Sequence, residues 1–399
     1  MIERPIAQLC LMLVLAVACS SSEPPKGGVT ASGGAAGDAS GAAGTTAAGA
    51  AGSGTAGTQA GTGGSGTAGA VMPPSGTAGE AAGGAAGPAT LPDAGGDVAS
   101  GAGGSGGALA DPGTDGDGVF PIAAPFTAAP EMSDQPGVPK GQIIQFTMAT
   151  NTTFDDGARK VAVYVPPGYV SGTEIPFMVA QDGVTPQNGG SFGLDDLRPL
   201  MDNMIAAKTI PMMAGVFADP GAMRSVEYDT VSDKYYQFVE TELLPAAIAQ
   251  AKTKGIALNL TKNPQGRGAF GGSSGGAAAF TMGWLHPESY TRLLTLSGSF
   301  LKLQSSTMYP NGAGEYAMTL IASSPVLPLR IFIEAGSNDL GNGKWRAAND
   351  AMSMALMTKG GYHYRYVTAQ GAMHEDDGAR RQYLPAAMQW LWRGYPIAN

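Results

Sequence analysis

Arg267-Gly268-Ala269-Phe270-Gly271-Gly272-Ser273-Ser274-Gly275-Gly276-Ala277-Ala278-Ala279-Phe280-Thr281-Met282 is the stretch from which the fold can be read. A strand-like run gives way to a glycine-flanked serine and then to small, helix-compatible residues, the strand, sharp turn and helix of a nucleophile elbow. Such a turn holds its serine in a strained backbone conformation. Glycines two residues before and after the serine remove the clashes that would forbid it. Two frames fit: Gly271-x-Ser273-x-Gly275 puts Ser273 at the tip, and Gly272-x-Ser274-x-Gly276 puts Ser274 there. The first frame is preferred, because Gly276 and Ala277 then open the helix where it must lie close to the strand, and the Ser274 amide faces the reacting carbonyl. The string alone is weak in a chain with 61 glycines, so its context carries the weight.

A serine hydroxyl is a poor nucleophile near neutral pH and needs a base within hydrogen-bond reach and an acid to orient that base. The chain has three histidines. His286 ends the helix after the elbow, where a histidine caps carbonyls or packs, and His363 sits among tyrosines in a strand-like run as a sheet side chain. His374 follows that strand through Gln370-Gly371-Ala372-Met373, in a loop at a carboxyl end, where α/β sheets place functional groups. His374 is therefore the candidate base. The acid is expected between serine and histidine in chain order. Asp339, in the turn Gly336-Ser337-Asn338-Asp339 that ends the apolar run 329–335, is the candidate; its alternative role is to cap the turn into the helix near Trp345. Asp376 and Asp377 stay open as acids, although they lie close to the base in sequence, and Glu334 reads as buried or paired within its strand. Preorganised amides must also receive the charge of a tetrahedral intermediate. The Ser274 amide and those of Asp182 and Gly183, after the apolar run 176–181, are the candidates; an ordinary Asp-Gly turn is the alternative for the second pair.

Val163-Tyr164-Val165-Pro166-Pro167-Gly168-Tyr169, Gln181-Asp182-Gly183, Arg224-Ser225-Val226-Glu227-Tyr228, Glu242-Leu243-Leu244-Pro245, the elbow and Trp390-Leu391-Trp392-Arg393 occur in one order along the chain. Together they resemble the Putative esterase family, nearest to its enterochelin-esterase-like branch, from about residue 140 to the end. The resemblance implies an α/β-hydrolase fold and a serine triad, and its pattern falls on Ser273, Asp339 and His374. It also implies that Arg224, with Tyr228 beside it, lies near the substrate pocket; a structural pair of Arg224 with Glu227 is the competing expectation. The family's glycines before the histidine are replaced here by Ala372-Met373, and acidic residues follow, which bears on the substrate more than on the chemistry.

Outside this region the chain changes character. Residues 1–18 carry Arg4 and an apolar run from Leu9 to Leu15, too short to span a bilayer, and read as a signal peptide. Leu15-Ala16-Val17-Ala18-Cys19 resembles a bacterial lipobox, so Cys19 is expected to be lipidated, with ordinary cleavage near Ala18 as the alternative. Residues 19–118 form a linker rich in Gly, Ala, Ser and Thr that cannot bury enough surface to offset the entropy of ordering. A flexible chain of that length reaches roughly 50 Å. Asp111, Asp115 and Asp117 do not have calcium-loop spacing and are assigned to this linker. An extended lead-in over 119–137 and one esterase domain over 138–399 complete the expected organisation. The expected location is the bacterial cell envelope, as an exported lipoprotein, or the medium.

Both cysteines precede residue 20, so disulfides and a thiol nucleophile in the folded part are excluded. With 23 Lys and Arg against 32 Asp and Glu, net charge −9, the chain lacks the coherent basic face that nucleic acid requires. Gly266-x-Gly268-x-x-Gly271 matches a dinucleotide fingerprint only formally, since its glycines span the strand itself, and there is no P-loop. No histidine or cysteine cluster has metal-ligand spacing, so neither metal nor cofactor is expected. The alternation of strand-like and helical segments predicts a mostly parallel sheet with helices on both faces. Within it, one long helix is expected over 235–252. The functional expectation is a monomeric serine esterase acting on a small-molecule or polysaccharide-linked ester, of siderophore or feruloyl type, with the membrane met only through the N-terminal lipid. An acyltransferase of the same fold, or a non-catalytic carbohydrate- or siderophore-binding module, are the alternatives.

Overall fold

Short apolar runs separated by glycine- and proline-containing turns become strands because β-branched and aromatic side chains suit a pleated, buried surface. In chain order they are β1 (Gly118–Ala123), β2 (Gln142–Met148), β3 (Arg159–Val165), β4 (Glu174–Ile175), β5 (Phe177–Gln181), β6 (Ala214–Ala218), β7 (Asn259–Leu260), β8 (Arg267–Gly272), β9 (Arg292–Leu296), β10 (Arg330–Gly336) and β11 (His363–Gln370). The helices are α1 (Leu194–Ala206), α2 (Arg224–Asp229), α3 (Lys234–Phe238), α4 (Leu244–Thr253), α5 (Ser273–Leu285), α6 (Ile321–Ser323), α7 (Lys344–Lys359) and α8 (Asp377–Leu391). This computed structural model describes residues 113–185 and 193–397. The expected signal peptide, Cys19 and the bulk of the linker lie outside the described residues.

Among the described residues, nine strands form one sheet in the order β1-β11-β10-β9-β8-β5-β6-β3-β2, and β4 pairs with β7 apart from it. Only β2 with β3 and β3 with β6 run antiparallel; the other neighbours in the sheet are parallel. The opening pair reads as expected, Gln142 opposite Val165 through Met148 opposite Arg159. Central strands are buried on both faces, and their alternation sorts them into two cores. Val161, Val163, Phe177, Val179, Ala269, Leu293, Ile331 and Ile333 face one core, which includes residues of α3, α4, α5 and α7. Ala162, Tyr164, Met178, Ala180, Phe270, Leu294 and Phe332 face the other, with residues of α1 and α8. Each Val, Leu, Ile, Phe or Met among them contributes about 1.5–3 kcal/mol when fully buried.

Two features differ from expectation. The segment expected as one helix over 235–252 is α3 and α4 joined by a π-helical turn, Val239–Leu243, where the Leu244 amide bonds back to the Val239 carbonyl. Pro245 has no N–H to continue the ordinary ladder, and the wider turn takes up the mismatch. The second difference is β1. Residues 118–123, expected to end the linker and open the lead-in, form the parallel edge strand beside β11, Gly118 opposite Arg365 through Ala123 opposite Gln370. Asp117 accepts from His363 Nδ1 at 2.9 Å and from Trp390 Nε1 at 3.0 Å, and Asp115 pairs with Arg393 at 2.8 Å. Two aspartates assigned to the linker therefore fasten the edge of the sheet, and the folded body begins well before residue 138.

Candidate active site

The parallel strands end at one rim, and the candidate residues come from the loops that leave it. Ser273, the first residue of α5, has φ +53°, in the left-handed region that non-glycine residues rarely adopt. Small neighbours permit this: a Cβ on Gly271 would lie 2.3 Å from the Gly275 carbonyl. The two serine frames now separate. Ser274 is buried and its hydroxyl donates to Asp229 Oδ2 at 3.1 Å, whereas Ser273 is partly exposed at the tip of the turn.

Asp339 and His374 leave the ends of β10 and β11. Those loops cross closely because residue 336 is glycine: a Cβ there would stand 2.4 Å from the Ala372 carbonyl oxygen. Asn338 N donates to that same oxygen at 2.8 Å, and Gly371 N to Ser337 Oγ at 2.8 Å. The outcome is a 2.5 Å hydrogen bond between His374 Nδ1 and Asp339 Oδ1, with the carboxylate side chain fully buried and the imidazole 15 % exposed. The Leu340 amide also donates to Asp339 Oδ1, at 2.7 Å. The two alternative acids are otherwise engaged. Asp376 caps α8 by accepting from Ala379 N, and Asp377 pairs with Arg380 at 2.5 Å. His286 stacks on Tyr236 with ring centroids 3.6 Å apart and bonds Glu288, and His363 holds Asp117, both in the structural roles expected of them.

On the other side of the elbow, Asp182 has φ +58° and is gripped by Arg224, whose Nε and Nη2 lie 2.9 and 2.7 Å from its two oxygens. Burial raises the Asp182 pKa, and the guanidinium opposes that rise. Arg224 therefore pairs with Asp182 rather than with the expected alternative Glu227, which bonds Arg159 at 2.6 Å. Tyr228, expected beside the substrate pocket, is 1 % exposed within a core, with the Arg224 guanidinium 5.5 Å from its ring centroid; it backs the arginine instead of facing solvent. The amides of Val184 and Thr185 both donate to Asp219 at 3.0 Å.

The family described as Putative esterase matches residues 153–382. The chain belongs to this family. Among solved structures, a feruloyl esterase from Anaeromyces mucronatus in complex with ferulic acid is 13 % identical, with 69 % of this chain and 99 % of that chain covered and a TM-score of 0.50. The enterochelin esterase of Shigella flexneri is 22 % identical over 68 % of this chain and 62 % of that one, TM-score 0.49. A feruloyl esterase module from Clostridium thermocellum, complexed with sinapinate, is 20 % identical over 69 % and 97 %, TM-score 0.48. At such identities the likeness is one of fold. The chain spans about three-fifths of the enterobactin esterase chains it matches, 60 % for those of Shigella flexneri and Salmonella typhimurium. No curated protein sequence matches it. This family member has the α/β-hydrolase fold, and its family supports hydrolysis of carboxylic esters.

Several residues around the esterase rim were not singled out by sequence. Ser299, after β9, lies 3.4 Å from Ser273 through the two hydroxyls and accepts from Trp345 Nε1 at 3.0 Å. The Trp345 ring stands edge-on to His374, centroids 5.8 Å apart. The available signal was the small-residue run Ser297-Gly298-Ser299 at the carboxyl end of a buried strand, the same kind of position that drew attention to His374. Glu375 bonds Ser297 Oγ through its amide, at 3.2 Å, and burial raises the pKa of its carboxyl.

Proposed function

We propose that this protein is an exported, lipid-anchored serine esterase that works through an acyl-enzyme on Ser273. The observation that carries the reading is the strained φ of Ser273 at the rim where His374 and Asp339 share a short hydrogen bond. Ser273 Oγ attacks the acyl carbon while its proton passes to His374. Asp339 holds the imidazole and stabilises the imidazolium. The oxyanion is received by the Ser274 amide and, with Val184 and Thr185 committed to Asp219, by the amides of Asp182 or Gly183. His374 then protonates the departing alcohol, and water repeats the sequence to free the acid. Arg224 spends its fork on Asp182, which weighs against a strongly anionic siderophore and toward aromatic or carbohydrate-linked esters.

Purified protein is assayed on nitrophenyl esters beside Ser273→Ala, which is expected to lose about 10⁴-fold or more in kcat. A variant as active as the parent would overturn the assignment. Labelling by a fluorophosphonate, mapped by mass spectrometry, is expected on Ser273; label on Ser274 would move the nucleophile by one residue. A screen of acyl donors identifies the substrate, and product analysis with added alcohol separates hydrolysis from transfer.

A further inference from the structure

Ser299 is fully buried and meets Ser273 twice, its amide donating to the Ser273 carbonyl oxygen at 2.9 Å and its Oγ standing 3.4 Å from Ser273 Oγ. Either hydroxyl can donate in that second contact, and its other neighbour favours Ser299 as the donor. An indole N–H can only donate, so Trp345 occupies a lone pair of Ser299 Oγ at 3.0 Å. Ser299 keeps its one O–H to give, and Ser273 Oγ is the acceptor in reach. Asn349, one turn along α7 from Trp345 and fully buried, donates to the Gly298 carbonyl at 3.0 Å and to the Trp345 carbonyl at 2.9 Å. α7 thus grips the 298–299 turn at two points, by Trp345 and by Asn349.

We infer that Ser299 is a hydrogen-bond donor to the nucleophile oxygen, with Trp345 as the positioning residue that aims it. The inference rests on the proposed role of Ser273. In deacylation water attacks the acyl carbon and its proton passes to His374. The bond from carbon to Ser273 Oγ then breaks, Oγ leaves with the electron pair and takes the proton back from His374. A donor aimed at Oγ stabilises the charge it carries while leaving, and the Ser299 proton itself is not transferred. Oγ keeps a second lone pair for its attack in acylation, so the donor matters most when Oγ leaves with the electron pair in deacylation. The 3.4 Å resting separation is of the kind that shortens once substrate is bound.

The test compares Ser299→Ala and Trp345→Phe with the parent and Ser273→Ala on nitrophenyl acetate, in steady state and in the pre-steady-state burst. Both variants are expected to lower kcat about tenfold, equivalent to about 1.4 kcal/mol. KM is expected to fall with kcat, and the burst to become more pronounced as acyl-enzyme accumulates. Parental kcat in both variants, beside an inactive Ser273→Ala, would overturn the inference and leave the serine reading standing. So would a loss of kcat with KM and burst unchanged, the signature of a general structural defect. Turnover by Ser273→Ala itself would instead remove the serine reading. Should Ser299→Ala fail to fold, Trp345→Phe decides through the KM and burst readouts, since it keeps an aromatic ring at this half-buried position while removing the N–H and part of the indole.

Discussion

Asp339 directs one oxygen at both His374 Nδ1 and the Leu340 amide, so it is fixed by its own backbone as well as by its partner. Asparagine keeps the shape but can present an N–H to the imidazole and hold it in the wrong tautomer. Asp339→Asn is therefore expected to fold normally, with an unchanged thermal midpoint, and to lose about 10⁴ in kcat on nitrophenyl esters. A loss of less than tenfold would place the acid elsewhere. At this scale the sequence was most informative where chain order and loop position constrain a residue: Ser273, Asp339 and His374 were all named from it. It was least informative where a side chain is defined by what crosses it. Nothing local distinguishes Arg224 paired with Asp182 from Arg224 paired with Glu227, because the choice depends on how α2 meets the end of β5. Tyr228 was read as a pocket residue for the same reason.

β10 carries a second acid whose behaviour is set by its element. Glu334 is 1 % exposed in the middle of the rim-forming strands, and burial, then the negative charge of Asp339, pushes its pKa up to about 8 from an ordinary 4.5. The folded protein therefore keeps this proton while the unfolded chain releases it near 4.5. The stability contribution is complete below about pH 4.5 and is lost as pH rises through 8. Glu334→Gln is expected to flatten that decline and to raise stability at pH 8.5 relative to the parent by on the order of a few kcal/mol, read from urea titrations at pH 5 and 8.5. An unchanged pH slope would show that Glu334 ionises normally. Strands with unbroken apolar runs were legible as elements. The edge strand β1 was not, since Gly118-Val119-Phe120-Pro121-Ile122-Ala123 adjoins glycine-rich sequence, contains a proline, and finds its partner only at Arg365 through Gln370.

The whole body is closed by that late-found strand. Asp117→Ala removes the acceptor of His363 and Trp390 and leaves two donors near the sheet edge without it. The expected cost is about 1–3 kcal/mol in urea unfolding, with kcat on nitrophenyl esters unchanged. A neutral effect would mean that the edge is held by backbone pairing alone. β1 runs parallel to β11, so Gly118 lies where the strands start, and the triad candidates lie where they finish. The chain thus enters β1 at the pole of the sheet opposite the rim that carries the candidate residues. Tension between the two poles would act along β1 and load its rungs to β11 together in shear, so the attachment resists pulling far better than one that could be unzipped a rung at a time.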